Sequence, residues 1–357
     1  PDVEIGSYVW GGPTYAWSPD SRTIAVHYVD RRNMRKVPFP HYLGKETVAN
    51  NVRRGYPGDP NEFRTIGFFS VESGELNLLD LPSPTANRVA GFSWSPNGKL
   101  LLDQESDTAT DRWLYTVEPN NGRLKEIWHD HRETRIYTSI ASAWHSDGER
   151  VVFLSDLNDR YGLYLLTSGE ENPELLTNES FDVTSAPLIS MSANRIFFQS
   201  NEPSPYERHV FYIPDEGGAS TRISSIPGQH RPYPSPDGMR VALLHNSDLR
   251  PTELYLMDTL SELNESQITN SLDPEFLSIN WAKPRYTTFK SQIDDYTLHA
   301  RILEPPNLKR GKRYPVIFGP AYSNTVRNRW AGTIGLLQQL LVERGYIVIQ
   351  VDVRGST

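Results

Sequence analysis

The sequence predicts a mainly β protein, a β-propeller that runs into the start of an α/β domain. Three observations carry this: a turn motif that recurs as far as Gly238, β-prone runs at similar offsets after each copy, and strand–helix–strand grammar beyond Pro284.

The motif reads Trp17-Ser18-Pro19-Asp20, Trp94-Ser95-Pro96-Asn97-Gly98, Trp144-His145-Ser146-Asp147-Gly148 and Pro234-Ser235-Pro236-Asp237-Gly238, with a degenerate copy at Ser192-Ala193-Asn194. Counted at Ser18, Ser95, His145, Ser192 and Ser235, the intervals are 77, 50, 47 and 43 residues, close to the period of propeller blades. Proline presets φ at the first corner, Asp or Asn tolerates the second, and glycine accepts the left-handed conformation from which the next strand leaves. Each turn releases a strongly β-prone run: 23–29, 100–102, 150–155, 195–199 and 241–245. A second run follows at 113–117, 162–166, 209–213 and 253–257. Short strands at this spacing read as all-β. One four-stranded unit cannot bury both faces, so the units are expected to stack around an axis with the tryptophans between them.

The first interval is too long by roughly thirty residues for one blade. The excess falls at 31–63, rich in Arg, Pro and Asn, and is expected as an insertion within a blade; loops of this length are usually functional or mobile. About five units are visible, where propellers close with ~4–8 blades. Residues 1–281 are therefore expected to be a small propeller or an incomplete larger one.

From 282 to 357 the pattern predicts the start of an α/β domain. Runs at 287–293 and 296–303 flank Asp294-Asp295 as a hairpin, and Pro305-Pro306 ends the pair. Val316-Ile317-Phe318 predicts a short buried strand. The segment 330–344 predicts a helix with Trp330, Ile334, Leu337 and Leu341 on its buried face, closed by Gly345. A strand at 346–351 ends at Asp352, and strand–helix–strand of this character begins a parallel sheet.

Composition narrows the function. Hydrophobic residues make up 37% of the chain, with 8 Trp and 18 Tyr, enough for a core in a soluble globular protein. With no cysteine there is no disulfide, thiolate nucleophile or cysteine-held metal. No run approaches the ~18 apolar residues of a membrane span. The chain opens at Pro1, so a removed signal peptide or an upstream region is allowed, and the compartment stays open between periplasmic or secreted and cytoplasmic. The net charge of -8 is uneven: residues 282–357 hold 12 basic and 5 acidic groups, leaving 24 and 39 in the first part. Such an acidic surface argues against nucleic acid as partner. It suits cationic ligands such as peptide amino termini, and it also serves solubility.

The junction residues carry a resemblance. The propeller is followed by a hairpin, the Pro305-Pro306 break, Lys312-Arg313-Tyr314-Pro315, a strand ending at Gly319-Pro320, Arg327 ahead of Trp330, and Asp352-Val353-Arg354-Gly355-Ser356. In this order they resemble the dipeptidyl peptidase IV branch of the prolyl oligopeptidase family of serine peptidases, as does Tyr56-Pro57-Gly58-Asp59-Pro60-Asn61 inside the insertion. The resemblance implies that 282–357 is the N-terminal part of an α/β-hydrolase domain, that the substrates are short peptides, and that no cofactor is needed. A homodimer is left open. It also implies a Ser-His-Asp triad with the serine on a G-x-S-x-G elbow. No such motif occurs in this sequence, so nucleophile, acid and base are expected beyond Thr357. Where the dipeptidyl branch has two glutamates before the first turn, this chain has Gly6 and Ser7, with Glu4 out of register.

Two site residues follow from the resemblance. Tyr322 is the candidate hydroxyl donor to the oxyanion, since the family's in-register tyrosine is Ile317 here. Arg327 matches a family arginine facing the active-site cavity, against a surface or interface ion pair. Asp352 reads as a loop anchor. Glu170-Glu171 reads as a solvated hairpin turn. His129-Asp130-His131 reads as a solvated turn without a third ligand, so no metal is expected. A competing reading is a non-catalytic propeller that binds a protein or ligand beside a vestigial hydrolase segment, and a third is an esterase on the same scaffold.

Overall fold

A computed structural model describes residues 15–60, 62–81, 88–136, 141–170, 172–178, 180–260, 265–309, 311–319 and 324–356. They fall into two compact units, Pro1–Phe153 with Leu166–Pro173, and Leu154–Leu165 with Glu174–Thr357.

In the first unit, β1 (Tyr15–Trp17) and β2 (Thr23–Asp30) are followed by an inserted hairpin, β3 (Lys36–His41) and β4 (Val48–Arg53). Then come β5 (Phe63–Ser70) and β6 (Leu76–Leu78), closing an antiparallel sheet in the order β1-β2-β5-β6. The expected insertion at 31–63 is thus largely a two-stranded ribbon of its own. β7 (Arg88–Trp94), β8 (Leu100–Glu105), β9 (Asp111–Glu118) and β10 (Arg123–His131) form the second sheet in sequential order. Phe68, Phe92, Leu100, Leu102 and Tyr115 from the two sheets share one buried cluster. Arg112 forks onto Asp103 at 3.0 and 2.8 Å in the interior of the second sheet.

In the third group, β11 (Ser142–Trp144) pairs with β12 (Val151–Ser155), and β13 (Gly162–Leu166) with β14 (Glu174–Leu175). The second unit continues with β15 (Leu188–Ser190), β16 (Arg195–Ser200), β17 (His209–Pro214) and β18 (Thr221–Arg222), again a meander. β19 (Gln229–Pro234), β20 (Arg240–Ser247), β21 (Arg250–Asp258) and β22 (Glu265–Gln267) make the next. Their shared core holds Phe197, Val210, Val241, Leu243, Tyr255 and Met257. Five four-strand groups therefore precede Trp281, and the one helix described before it is the five-residue α1 (Pro274–Ser278).

The recurrent motif builds one corner five times. Ser21, Gly98, Gly148, Asn194 and Gly238 all adopt positive φ, from 50 to 81°, so Ser and Asn occupy the left-handed site where two copies lack glycine. The motif serine closes the turn, Ser18, Ser95 and Ser235 Oγ accepting the backbone N–H of Thr23, Lys99 and Arg240. Tryptophan ties groups together: Trp94 Nε1 donates to Ala16 O at 2.9 Å, and Trp144 Nε1 to Ser93 O at 3.1 Å. Between the fourth and fifth groups, which lack that tryptophan, Ser190 and Ser192 hydroxyls donate to Pro236 O.

Beyond α1, β23 (Arg285–Lys290), β24 (Thr297–Leu303), β25 (Val316–Phe318), α2 (Gly332–Glu343) and β26 (Ile347–Val351) form a sheet in the order β23-β24-β26-β25. β25 and β26 are parallel neighbours joined through α2, and the other pairs are antiparallel. Two expectations are corrected. Ile334 and Leu337 are exposed, and the face of α2 that meets the sheet carries Gln338 and Val342 beside Ala282, Leu303 and Val348. The helix has apolar residues around most of its circumference, so spacing alone does not select the buried face. Val316, Ile317 and Phe318 are exposed as well, because β25 is the edge strand and α2 packs over β24 and β26.

Candidate functional site

In the second unit, buried polar groups gather where the loop entering α2 meets the ends of β24 and β26 and the loops of the fourth and fifth sheets. Asp352, just past β26, is 3% exposed. Its Oδ1 accepts from Thr325 N (2.6 Å), Thr325 Oγ1 (2.8 Å) and Val326 N (3.0 Å). Its Oδ2 accepts from Arg327 NH1 at 3.0 Å, and Arg327 NH2 donates to Asn324 Oδ1 at 2.5 Å. One carboxylate thus folds a short loop around itself. Asn328 carries the loop onto the β-repeat side: its N–H donates to Tyr206 O (2.8 Å), and its side chain accepts from Asp248 N (3.0 Å). Trp330 N donates to Asn246 Oδ1 at 2.9 Å.

A second layer is aromatic and charged. The rings of Tyr206 and Tyr286 stack with centroids 4.4 Å apart. Tyr286 donates to Asp248 Oδ2 at 2.5 Å, while Arg301 Nε and NH2 reach Oδ1 at 2.9 and 2.7 Å. Arg301 NH1 donates to Gln338 and Gln350, which explains a buried glutamine on α2. Burial pushes the Asp248 carboxyl up despite Arg301 beside it, and it pushes the Tyr286 hydroxyl up further, next to that carboxylate. Tyr206 OH and His299 Nδ1 share a hydrogen bond of 2.9 Å. Burial lowers the His299 pKa, which favours the neutral ring.

Three histidines, His209, His230 and His245, adjoin one another with centroids 5.2 and 4.6 Å apart and rings tilted by 32 and 40°. Glu207 accepts from His209 Nε2 at 3.0 Å, and Glu265 lies 3.5 Å from His230 Nε2. Burial raises Glu265, yet His230 and the N–H groups of Ser225 and Ile226 outweigh it and hold the carboxyl at about 2. Burial drives Arg208 down to about 9, helped by the charge of Arg327. The arrangement is a polar wall of imidazoles, tyrosyl hydroxyls and guanidiniums, the last favouring anionic groups.

The family described as "Dipeptidyl peptidase IV (DPP IV) N-terminal region" matches residues 12–252. The chain belongs to the dipeptidyl peptidase IV-like family. Two relatives, from Uncinocarpus reesii and Talaromyces marneffei, are both named "Probable dipeptidyl-aminopeptidase B". They are 23% and 25% identical over all of this chain, which spans 42% and 43% of their lengths. The crystal structure of Porphyromonas gingivalis dipeptidyl peptidase 4 aligns with a TM-score of 0.81 at 21% identity, over 96% of this chain and 49% of that one. That likeness is one of fold, and it supports the propeller-type reading of the four-strand repeats.

In this DPP IV-like chain, Arg327 and Asp352, singled out separately in the sequence, are brought together as a buried pair. Tyr322, Glu4, Gly6, Ser7 and Glu171 lie outside the described residues. Glu170 is exposed in a turn, as expected. His129-Asp130-His131 is not a turn: it ends β10, with Asp111 as a third partner. The Tyr206, Tyr286, Asp248, Arg301 and His299 cluster went unnoticed in sequence. Its members are as much as 95 positions apart, from Tyr206 to Arg301, and carry no motif spacing.

Proposed function

We propose that residues 1–281 are the β-propeller, and 282–357 the first part of the α/β-hydrolase domain, of a serine peptidase that removes dipeptides or short units from peptide amino termini. The family match over 12–252 carries this reading, together with the parallel β25–α2–β26 unit that follows the repeats. In it, the triad is supplied by polypeptide following Thr357; the relatives are more than twice this length. Tyr322 is the hydroxyl that completes the oxyanion hole, and Arg327, tied to Asp352, holds the loop that carries it. Wall groups such as Tyr206 and His299 line the peptide's path.

The test uses the full-length polypeptide with dipeptidyl chromogenic substrates and a serine-directed phosphonate. Dipeptide release abolished by the phosphonate supports the reading. Release of single residues only would move specificity away from the dipeptidyl branch, in keeping with Gly6 and Ser7 at the glutamate positions. A full-length protein inert toward every peptide and ester substrate would instead favour the binding propeller.

A further inference from the structure

Within the first unit, two polar clasps join the second sheet to the third group. At one clasp, consecutive corners of the turn motif touch: Asn97 Nδ2 and Lys99 Nζ donate to the two oxygens of Glu149 at 3.1 and 3.0 Å. The corners come this close beside Gly148, where an added Cβ would lie 3.1 Å from the Pro96 ring. At the other, Lys125 Nζ on β10 donates to Ser168 Oγ, just past β13, at 3.3 Å. Both clasps border one cavity of 260 Å³.

The cavity combines an apolar wall with a rim of both charges. Trp144, Val151 and Leu166 line it from the third group, all three buried. The second sheet contributes Glu118 on β9 and Arg123 and Lys125 on β10, and the register sets Arg123 directly opposite Glu118. Lys99 and Glu149 neutralise each other. The Arg123 guanidinium and the Glu118 carboxylate are exposed, and neither has a side-chain partner among the described residues. Residues so paired on neighbouring strands are about 5 Å apart at their Cα atoms, so a cation and an anion stand side by side above apolar surface.

We propose that this cavity binds an apolar zwitterion, a free amino acid or a dipeptide. Its carboxylate meets Arg123 and Lys125, its ammonium meets Glu118, and its side chain lies against Trp144, Val151 and Leu166. The guanidinium fork suits a carboxylate because it donates two parallel N–H bonds. A simple anion would face Glu118, and a simple cation would face Arg123 and Lys125, so a ligand carrying both charges is the one that meets no uncompensated like charge. The volume lies just under the roughly 300 Å³ at which drug-sized sites begin, which suits a molecule of one or two residues.

The experiment is a ligand-observed NMR titration of the full chain with L-leucine and leucyl-leucine, beside N-acetyl-L-leucine and L-leucinamide, which each lack one of the two charges. Leucine or the dipeptide is expected to bind with a Kd on the order of 0.1–1 mM, and the tighter of the two names the source. Loss of either ligand charge, and either Arg123→Gln or Glu118→Gln, should weaken binding by about tenfold or more. Arg123→Gln should weaken leucinamide much less than leucine, since leucinamide has no carboxylate for that contact to hold. Unchanged far-UV circular dichroism in the variants establishes that they fold. No binding of either zwitterion at about 10 mM, equal affinity for leucine and its N-acetyl form, or parent affinity in both variants overturns the proposal.

Discussion

Arg327 NH1 lies 3.0 Å from Asp352 Oδ2 with the two side chains only 6% and 4% exposed, so the loop entering α2 is fastened to the end of β26 by a buried ion pair. The same carboxylate accepts the N–H groups of Thr325 and Val326. Asp352→Ala is therefore expected to strip amide-exchange protection from Thr325 and Val326 and to leave Arg327 buried without its partner, at a cost of about 3–5 kcal/mol. Exchange mass spectrometry on the loop peptide checks this, and unchanged protection there would mean that the loop is held by other contacts.

The corner glycines should differ in their intolerance of side chains. Gly238 has φ 64°, and an added Cβ would come within 2.7 Å of Ala193 Cβ and 2.8 Å of Ser190 Oγ. At Gly98 the φ is 81° but the space is open. Gly98→Ala should cost about 1–2 kcal/mol for the left-handed conformation alone. Gly238→Ala should add about 1–3 kcal/mol of overpacking. Urea midpoints of the two variants decide the order.

Burial and the charge of His230 bring the His245 pKa down from 6.5 to about 4. A histidine held neutral when folded takes up its proton more readily when unfolded. Its contribution is therefore intact above pH 6.5 and is lost as the pH falls from there toward about 4. Glu265, held down at about 2, contributes above its ordinary carboxylate range and fails only in more acidic solution. Melting temperatures between pH 7 and 5 should fall for the parent and fall less for His245→Gln; parallel curves would remove His245 as the cause.

In the full-length polypeptide, Tyr322→Phe removes only a hydroxyl. If that hydroxyl completes the oxyanion hole, kcat should drop by about 100–1000-fold with little change in KM. Turnover within about twofold of the parent would return the role to backbone amides.

What the sequence by itself determined was the local grammar. The turn motif announced five corners because proline, Asp or Asn, and glycine act on their own backbone, and the strand after each corner needs no distant partner to be recognised. The parallel pairing of 316–318 with 347–351 was legible for a similar reason, since one intervening helix favours that crossover. Only the tertiary structure decided which face of α2 is buried, because Gln338 turns inward to Arg301, a residue from another strand. It also decided that His129 and His131 share Asp111, since cross-strand register joins residues that the sequence keeps 18 and 20 positions apart. The Tyr206, Tyr286, Asp248 and Arg301 cluster is the extreme case. Each member is an ordinary residue in its own segment, and its burial, charge state and partners exist only once the chain has brought the others beside it.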